Sequence, residues 1–309
     1  MDQAQAVAAI LMWTGHADAA IFHQEIPYKA LLEGSTADNL IRADQLTLAE
    51  YYRANGLPIW VTFDVTNGIN RAEESAQLVE LGRSIAEPEI QAIYRDYVKT
   101  FVSLVRPDHV GLAAETNLIR LAAPDNVYAA LVAMTHAAAA ELRDANPSLP
   151  LYVTVQVDTA WGGLTGTGTY VGVERDFADF PFVTMLGLSS YPYLAGYSDP
   201  ADIPLDYYQR LRGGRDIPVF VAEGGWSSEG PGGPALQAAY IARQGELLAR
   251  ADAVAWFQLT FTDLDLSTWP GLPPDSILPL FATNGLVDAD LNPKPALAAW
   301  DALLAKARR

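Results

Sequence analysis

Short β-prone runs alternate with long Ala-, Leu-, Glu- and Arg-rich stretches along nearly the whole chain. Each run must reach the next through a helical crossover, so the rhythm predicts βα units around a parallel sheet. The predicted strands are residues 19–25, 58–65, 109–115, 151–158, 183–191, 218–223 and 253–260. Between them, apolar residues recur at helical spacing, as in Ile90, Ile93, Tyr94, Tyr97, Phe101 and Leu104 after Pro88. Further helices are predicted at about 126–146, 234–251 and from 295 to the C-terminus. The Gly-rich 161–172 and the stretch 227–234 read as βα loops, which in a barrel line the active-site face.

A chain of 309 residues suits one (β/α)8 TIM-type barrel, and no linker or second domain is apparent, so residues 1–309 are expected to form a single domain. The N-terminus departs from the pattern. Were residues 6–13 a strand, only 14–18 would separate it from the next parallel strand, and a parallel crossover needs about a dozen residues. Residues 3–14 are therefore predicted helical, as the first helix of a barrel that lacks its first strand in this chain. The expected location follows from that: secreted or periplasmic if the N-terminus is truncated, otherwise cytoplasmic.

With 50% hydrophobic residues the chain can bury a large core, while a formal charge of −17 opposes binding to nucleic acid or anionic membranes. A neutral oligo- or polysaccharide is the better partner. No apolar stretch approaches the ~18 residues of a membrane span. Cysteine is absent, which removes thiol chemistry and thiolate metal sites. His16, His23, His109 and His136 show no metal-ligand spacing, and no lysine falls at a predicted strand end. Neither a catalytic metal, a Schiff base nor any cofactor is expected.

Counting the absent strand, Glu115 closes strand four and Glu223 closes strand seven, and both face the catalytic end. Carboxylates on those strands can meet across a barrel. Retaining hydrolysis of a glycosidic bond requires one carboxylic acid and one nucleophilic carboxylate about 5–5.5 Å apart.

The run Pro218-Val-Phe-Val-Ala-Glu223-Gly-Gly-Trp226-Ser-Ser resembles the strand-seven nucleophile motif of glycoside hydrolase clan A, above all that of endo-β-1,3-glucanases and endo-β-1,4-galactanases. His109-Val-Gly-Leu-Ala-Ala-Glu115-Thr-Asn is similar to the clan's strand-four acid/base motif. Leu188-Ser-Ser-Tyr191-Pro-Tyr193 resembles its strand six, and Gly285-Leu-Val-Asp with Asn292-Pro-Lys-Pro-Ala-Leu-Ala-Ala-Trp300 its last loop and helix. The resemblance implies an endo-acting, retaining β-glycanase in which Glu223 is the nucleophile, Glu115 the acid/base and Tyr191 a partner of Glu223. Two departures stand out. Ala114 occupies the position where the clan carries an Asn for the sugar 2-hydroxyl, which leaves Asn117 to take over part of that role. The clan's strand-two arginine has no counterpart at His23-Gln24-Glu25.

Trp226, Trp256 and Trp161 are candidate sugar platforms, because aromatic faces cover the C–H surfaces of pyranoses. Trp256, on strand eight, is the first choice. His23, Gln24, Glu25, Asp64, Asn67, Gln156 and Asp158 also fall at strand ends, and His23, Asp64, Gln156 and Tyr193 are expected to bind substrate. Asp263 and Asp265 are expected to serve their own loop. The rival function is a carbohydrate-binding barrel that does not hydrolyse.

Overall fold

The computed structural model describes residues 3–230, 232–269, 271–272 and 276–306. Pro231, inside the expected loop 227–234, and the last three residues of the expected C-terminal helix lie outside the described residues. The chain separates into two compact units, one formed by Asp18–Gln156 with Val173–Gly187, the other by residues 3–17, 157–172 and 188–306.

The first unit holds four parallel strands in the order β1 (Ala20–Glu25), β2 (Ile59–Asp64), β3 (His109–Gly111), β4 (Leu151–Tyr152). Their register sets Glu25 opposite Asp64 at the C-terminal ends. β2 is the run Ile-Trp-Val-Thr-Phe-Asp, buried on both faces except at its aspartate, as expected of a strand covered by helices on one side and a barrel interior on the other. Tyr152 reaches inward, where its hydroxyl donates to Val61 O at 2.7 Å and lies 2.9 Å from Thr62 Oγ1. Gly111 makes this possible, because a Cβ there would sit 2.2 Å from the Tyr152 ring.

Helix Pro88–Val105 shows how the outer layer is written. Proline starts it, Ile90, Tyr94, Tyr97, Val98, Phe101 and Val105 form its buried stripe, and Arg106 ends it in the left-handed region. Arg53 closes that end by donating to the carbonyls of Val105 and, at 2.7 Å, Arg106. Helix Asp125–Ala145 follows β3 in the same way.

Residues 3–14 are helical as expected: Gln3–Trp13 is an α-helix, extended by a 3-10 turn over Thr14–His16, and no described strand precedes β1. Within its unit, the Gln5 side chain donates to Ala289 O at 2.6 Å and His16 pairs with Asp301 at 2.7 Å.

Several strands are shorter than predicted. The run 109–115 is extended only to Gly111, because Glu115 turns into the left-handed region (φ 48°) ahead of helix Thr116–Ala122. The run 151–158 divides at Val153 into β4 and β5 (Thr154–Gln156) and ends in a helical turn, Val157–Ala160. β5, β6 (Leu186–Ser190) and β7 (Val219–Gly224) form a second sheet in that order. The predicted strand 253–260 runs beside β7, with Val254 N donating to Val219 O at 3.0 Å and Phe257 N to Val221 O at 2.8 Å, but only Trp256 forms a parallel bridge. Helices Gly233–Ala251 and Pro295–Leu304 complete this unit's outer layer. Among the described residues, no helix is long and apolar enough to cross a membrane.

Candidate active site

In the first unit the site is built around a buried cation. Asp64 ends β2, and the chain then folds back on itself through an antiparallel bridge between Thr66 and Glu74. Asn67 Oδ1 accepts from the backbone of Ile69 and Asn70 and fixes the turn. That turn delivers Arg71, whose side chain is 6% exposed. Arg71 Nη1 donates to both carboxylate oxygens of Asp64 at 2.7 and 2.8 Å, and Nε donates to Glu115 Oε2 at 2.9 Å. Burial alone would pull the guanidinium pKa down, but Asp64 and Glu115 outweigh it and hold the group charged. Glu25, beside Asp64, has its carboxyl pKa raised by burial and then by the Asp64 charge, with Arg71 opposing.

Arg71 escaped the sequence analysis. It lies 44 residues from Glu115 in a polar loop, and its one visible signal is an arginine placed shortly after a strand-end aspartate.

Glu115 is 7% exposed, and its backbone N–H donates to Thr154 Oγ1 at 2.8 Å. The next two residues secure the turn. Thr116 donates to Asp176 at 2.8 Å, while the Asn117 amide donates to Gln156 O at 2.9 Å and accepts from Gln156 N at 2.8 Å. Asn117 and Gln156 are both buried. The pairing occupies the Asn117 side chain, expected at the substrate, in joining the strand-four turn to the backbone of Gln156 on strand five. His23 is exposed on β1, in register with Thr62.

In the second unit Glu223 is the penultimate residue of β7, and Ser189 of β6 donates to its carboxylate. The close approach of these strands requires Gly224, since a Cβ there would meet Ser190 O at 2.6 Å. Tyr191 is buried, with its N–H donating to Asp158 at 3.0 Å and its ring against Phe281 at 4.9 Å. Asp158 also accepts from Tyr207, so this buried carboxylate anchors the loop after β6.

Tyr193 and Trp226 come together, ring centroids 5.8 Å apart, and Trp226 also packs on Tyr240 at 5.2 Å. Trp226 is 4% exposed. The Tyr193 hydroxyl donates to Leu280 O at 2.8 Å and accepts from Asn284 at 3.1 Å; burial raises its pKa. Trp256, the favoured platform, is half-buried. Its ring lies 4.3 Å from that of Trp300 on the last helix, so it faces the outer layer. Trp161 is likewise engaged, between the Tyr207 ring and the Arg210 guanidinium.

Asp263 is largely buried and ties its loop to later segments of the chain rather than serving that loop alone. It accepts from Lys294 at 2.6 Å and from Gly285 N at 2.9 Å, while Asp265 caps the short turn Leu266–Thr268. Among the described residues no three His, Asp or Glu side chains are grouped to hold a metal ion.

No protein-family model matches the chain, and no curated protein does. Solved structures do. The Ignisphaera aggregans GH53 catalytic domain is 15% identical, with a TM-score of 0.58 over 82% of this chain and 76% of its own. A β-glucosidase from Exiguobacterium marinum is 14% identical, with a TM-score of 0.67 over 98% of this chain and 87% of its own. A family 39 glycoside hydrolase from the gut symbiont Bacteroides cellulosilyticus is 16% identical, with a TM-score of 0.62 over 96% of this chain. The chain spans 59% of that protein's length. At such identities the likeness is one of fold, the (β/α)8-type barrel, and it agrees with the resemblance carried by the motifs.

Proposed function

We propose that the chain is a retaining, endo-acting hydrolase of β-linked glycans, with Glu223 as nucleophile and Glu115 as acid/base. The observation that carries this reading is the position of the two glutamates. Glu115 follows the strand read as the fourth, and Glu223 lies at the end of the strand read as the seventh, in a fold shared with solved glycoside hydrolases. That end of a barrel is where catalysis is built.

In the first step Glu115 gives its proton to the glycosidic oxygen while Glu223 attacks the anomeric carbon; the leaving sugar departs with that proton, and a glycosyl ester remains. In the second step Glu115, now a carboxylate, takes a proton from water as the water oxygen attacks the anomeric carbon, the bond from that carbon to Glu223 breaks, and the Glu223 carboxylate is released with net retention at the sugar. The Ser189 hydroxyl donates to the Glu223 carboxylate and orients it for attack. Tyr191 is the proposed second donor to it, and His23, Asp64 and Tyr193 the proposed contacts to a neutral glycan. The strong negative charge of the chain accords with an uncharged substrate.

The test is a β-glycan panel with product sizing. Glu223→Ala should abolish turnover and regain it with azide, giving the inverted glycosyl azide. Glu115→Ala should retain more activity on aryl glycosides with good leaving groups than on unactivated glycans. Wild-type hydrolysis by both variants would sink the assignment. A second reading, a barrel that binds glycans without cleaving them, is favoured by the commitment of Asn117 to Gln156 beside Ala114. It predicts glycan binding with no product from the wild type.

A further inference from the structure

The acid step requires a proton on Glu115 at the moment the bond breaks, yet the carboxylate accepts a charge-assisted hydrogen bond from a buried guanidinium. Such a partner favours the ionised form. The same guanidinium is shared with Asp64 through two further contacts, so two carboxylates compete for one cation. We infer that Arg71 is a positioning residue that sets the ionisation of Glu115, with Asp64 as its competitor, so that the acid form of Glu115 is present only at acidic pH. This rests on the reading of Glu115 as acid/base.

Arg71 is in ion-pair contact with both carboxylates, at 2.7 Å from Asp64 and 2.9 Å from Glu115. From β1 comes Glu25, which adds negative charge beside Asp64. Tyr28, buried after β1, is neutral, its pKa raised by burial and by Glu74 and Asp64. In the Arg71 loop, Glu73 accepts from Asn67 and Glu74 accepts from Ile85 N. On the helix after Glu115, Arg120 is paired with Asp176 at 2.8 Å. From β5, the Thr154 hydroxyl accepts from the Glu115 backbone. Arg71 is held by the turn as well as by charge, since Nη1 also reaches Thr66 Oγ1 at 3.2 Å and Asn67 O at 3.4 Å.

Substitutions on the two sides of the guanidinium therefore act in opposite directions. Arg71→Met removes the cation and should raise the basic limb of the kcat/KM profile on unactivated glycans by about 1–3 pH units. Asp64→Asn frees Arg71 for Glu115 and should lower that limb. Arg71→Lys keeps the charge and should leave the limb near its wild-type position with a reduced kcat. On aryl glycosides with good leaving groups, where protonation contributes little, the limb should not follow Arg71.

The decisive measurement is the titration of the Glu115 side-chain carboxyl by 13C NMR in the wild type, Arg71→Met and Asp64→Asn, which needs no turnover. Opposite shifts in the two variants support the inference; a Glu115 titration unmoved in both overturns it. If Arg71→Met does not fold, the downward shift in Asp64→Asn decides alone. Should the carboxyl follow Arg71 while the wild type cleaves no glycan, the coupling stands and the hydrolase reading fails.

Discussion

Trp256 packs against Trp300 with ring centroids 4.3 Å apart and planes inclined by 52°, which joins the eighth strand position to the last helix. The indole that sequence reasoning assigned to sugar stacking is part of the packing beneath that helix. Trp256→Ala should lower stability by about 3 kcal/mol and leave KM for glycans unchanged. Urea denaturation and steady-state kinetics check both halves. A large rise in KM without loss of stability would return Trp256 to the substrate.

Gly111 is a position where one methyl group should be severe. Its Cβ would lie 2.2, 2.7 and 2.8 Å from three atoms of the Tyr152 ring, and two oxygen contacts hold that tyrosine in place. Gly111→Ala should cost about 3 kcal/mol, and Tyr152→Phe about 1–2 kcal/mol through the lost hydrogen bond to the Val61 carbonyl. A Gly111→Ala protein within about 0.5 kcal/mol of wild type in denaturant unfolding would show that the ring can move aside.

His109 supplies a pH dependence. It stacks on Trp60 at 3.6 Å, and burial lowers its pKa, with Asp108 opposing. A depressed folded-state pKa means that unfolding takes up a proton. The stability contribution of the neutral ring is therefore complete above the ordinary value near 6.5 and is lost as pH falls through the folded value. Wild-type Tm should fall further than that of His109→Gln between pH 7.5 and 5, by about 2 °C or more. Parallel curves for the two proteins would remove His109 from the account.

Lys294 and Asp263 form a pair with side chains 10% and 14% exposed, tied also to Ser228 Oγ at 3.0 Å and Thr283 O at 3.1 Å. Burial works against both charges, raising the pKa of Asp263 and lowering that of Lys294. Lys294→Met strands a buried carboxylate and should cost about 3–5 kcal/mol, most of it regained in the double variant with Asp263→Asn. Equal losses in the single and double variants would refute the pairing argument.

Much of the fold was legible because its signals are local. β2 was predicted at 58–65 and spans Ile59–Asp64, and the helix read after Pro88 spans Pro88–Val105. The N-terminal helix followed from the length of a crossover. Where the sequence misled, the deciding contacts were distant in the chain. Asp158 read as the end of a strand, but the backbone of Tyr191 and the hydroxyl of Tyr207 draw it into a helical turn. The packing of Trp256 on Trp300 was not legible, because both sides of a parallel barrel strand are apolar and alternation carries no direction there. Arg71 was missed for a related reason. An arginine in a polar loop looks solvated until the fold brings two carboxylates to it.

The backbone of Glu115 sits at φ 48°, a conformation that glycine enters freely and that costs most other residues about 1–2 kcal/mol. The turn itself would form more easily with glycine, so what keeps a glutamate there is its side chain, through the Arg71 pair and the chemistry proposed for it. Glu115→Gly should therefore relax the main chain while leaving the buried Arg71 Nε–H without its carboxylate and silencing that chemistry. In that exchange the side chain is aimed by a twist of the main chain, which a change of rotamer cannot reproduce from a relaxed backbone.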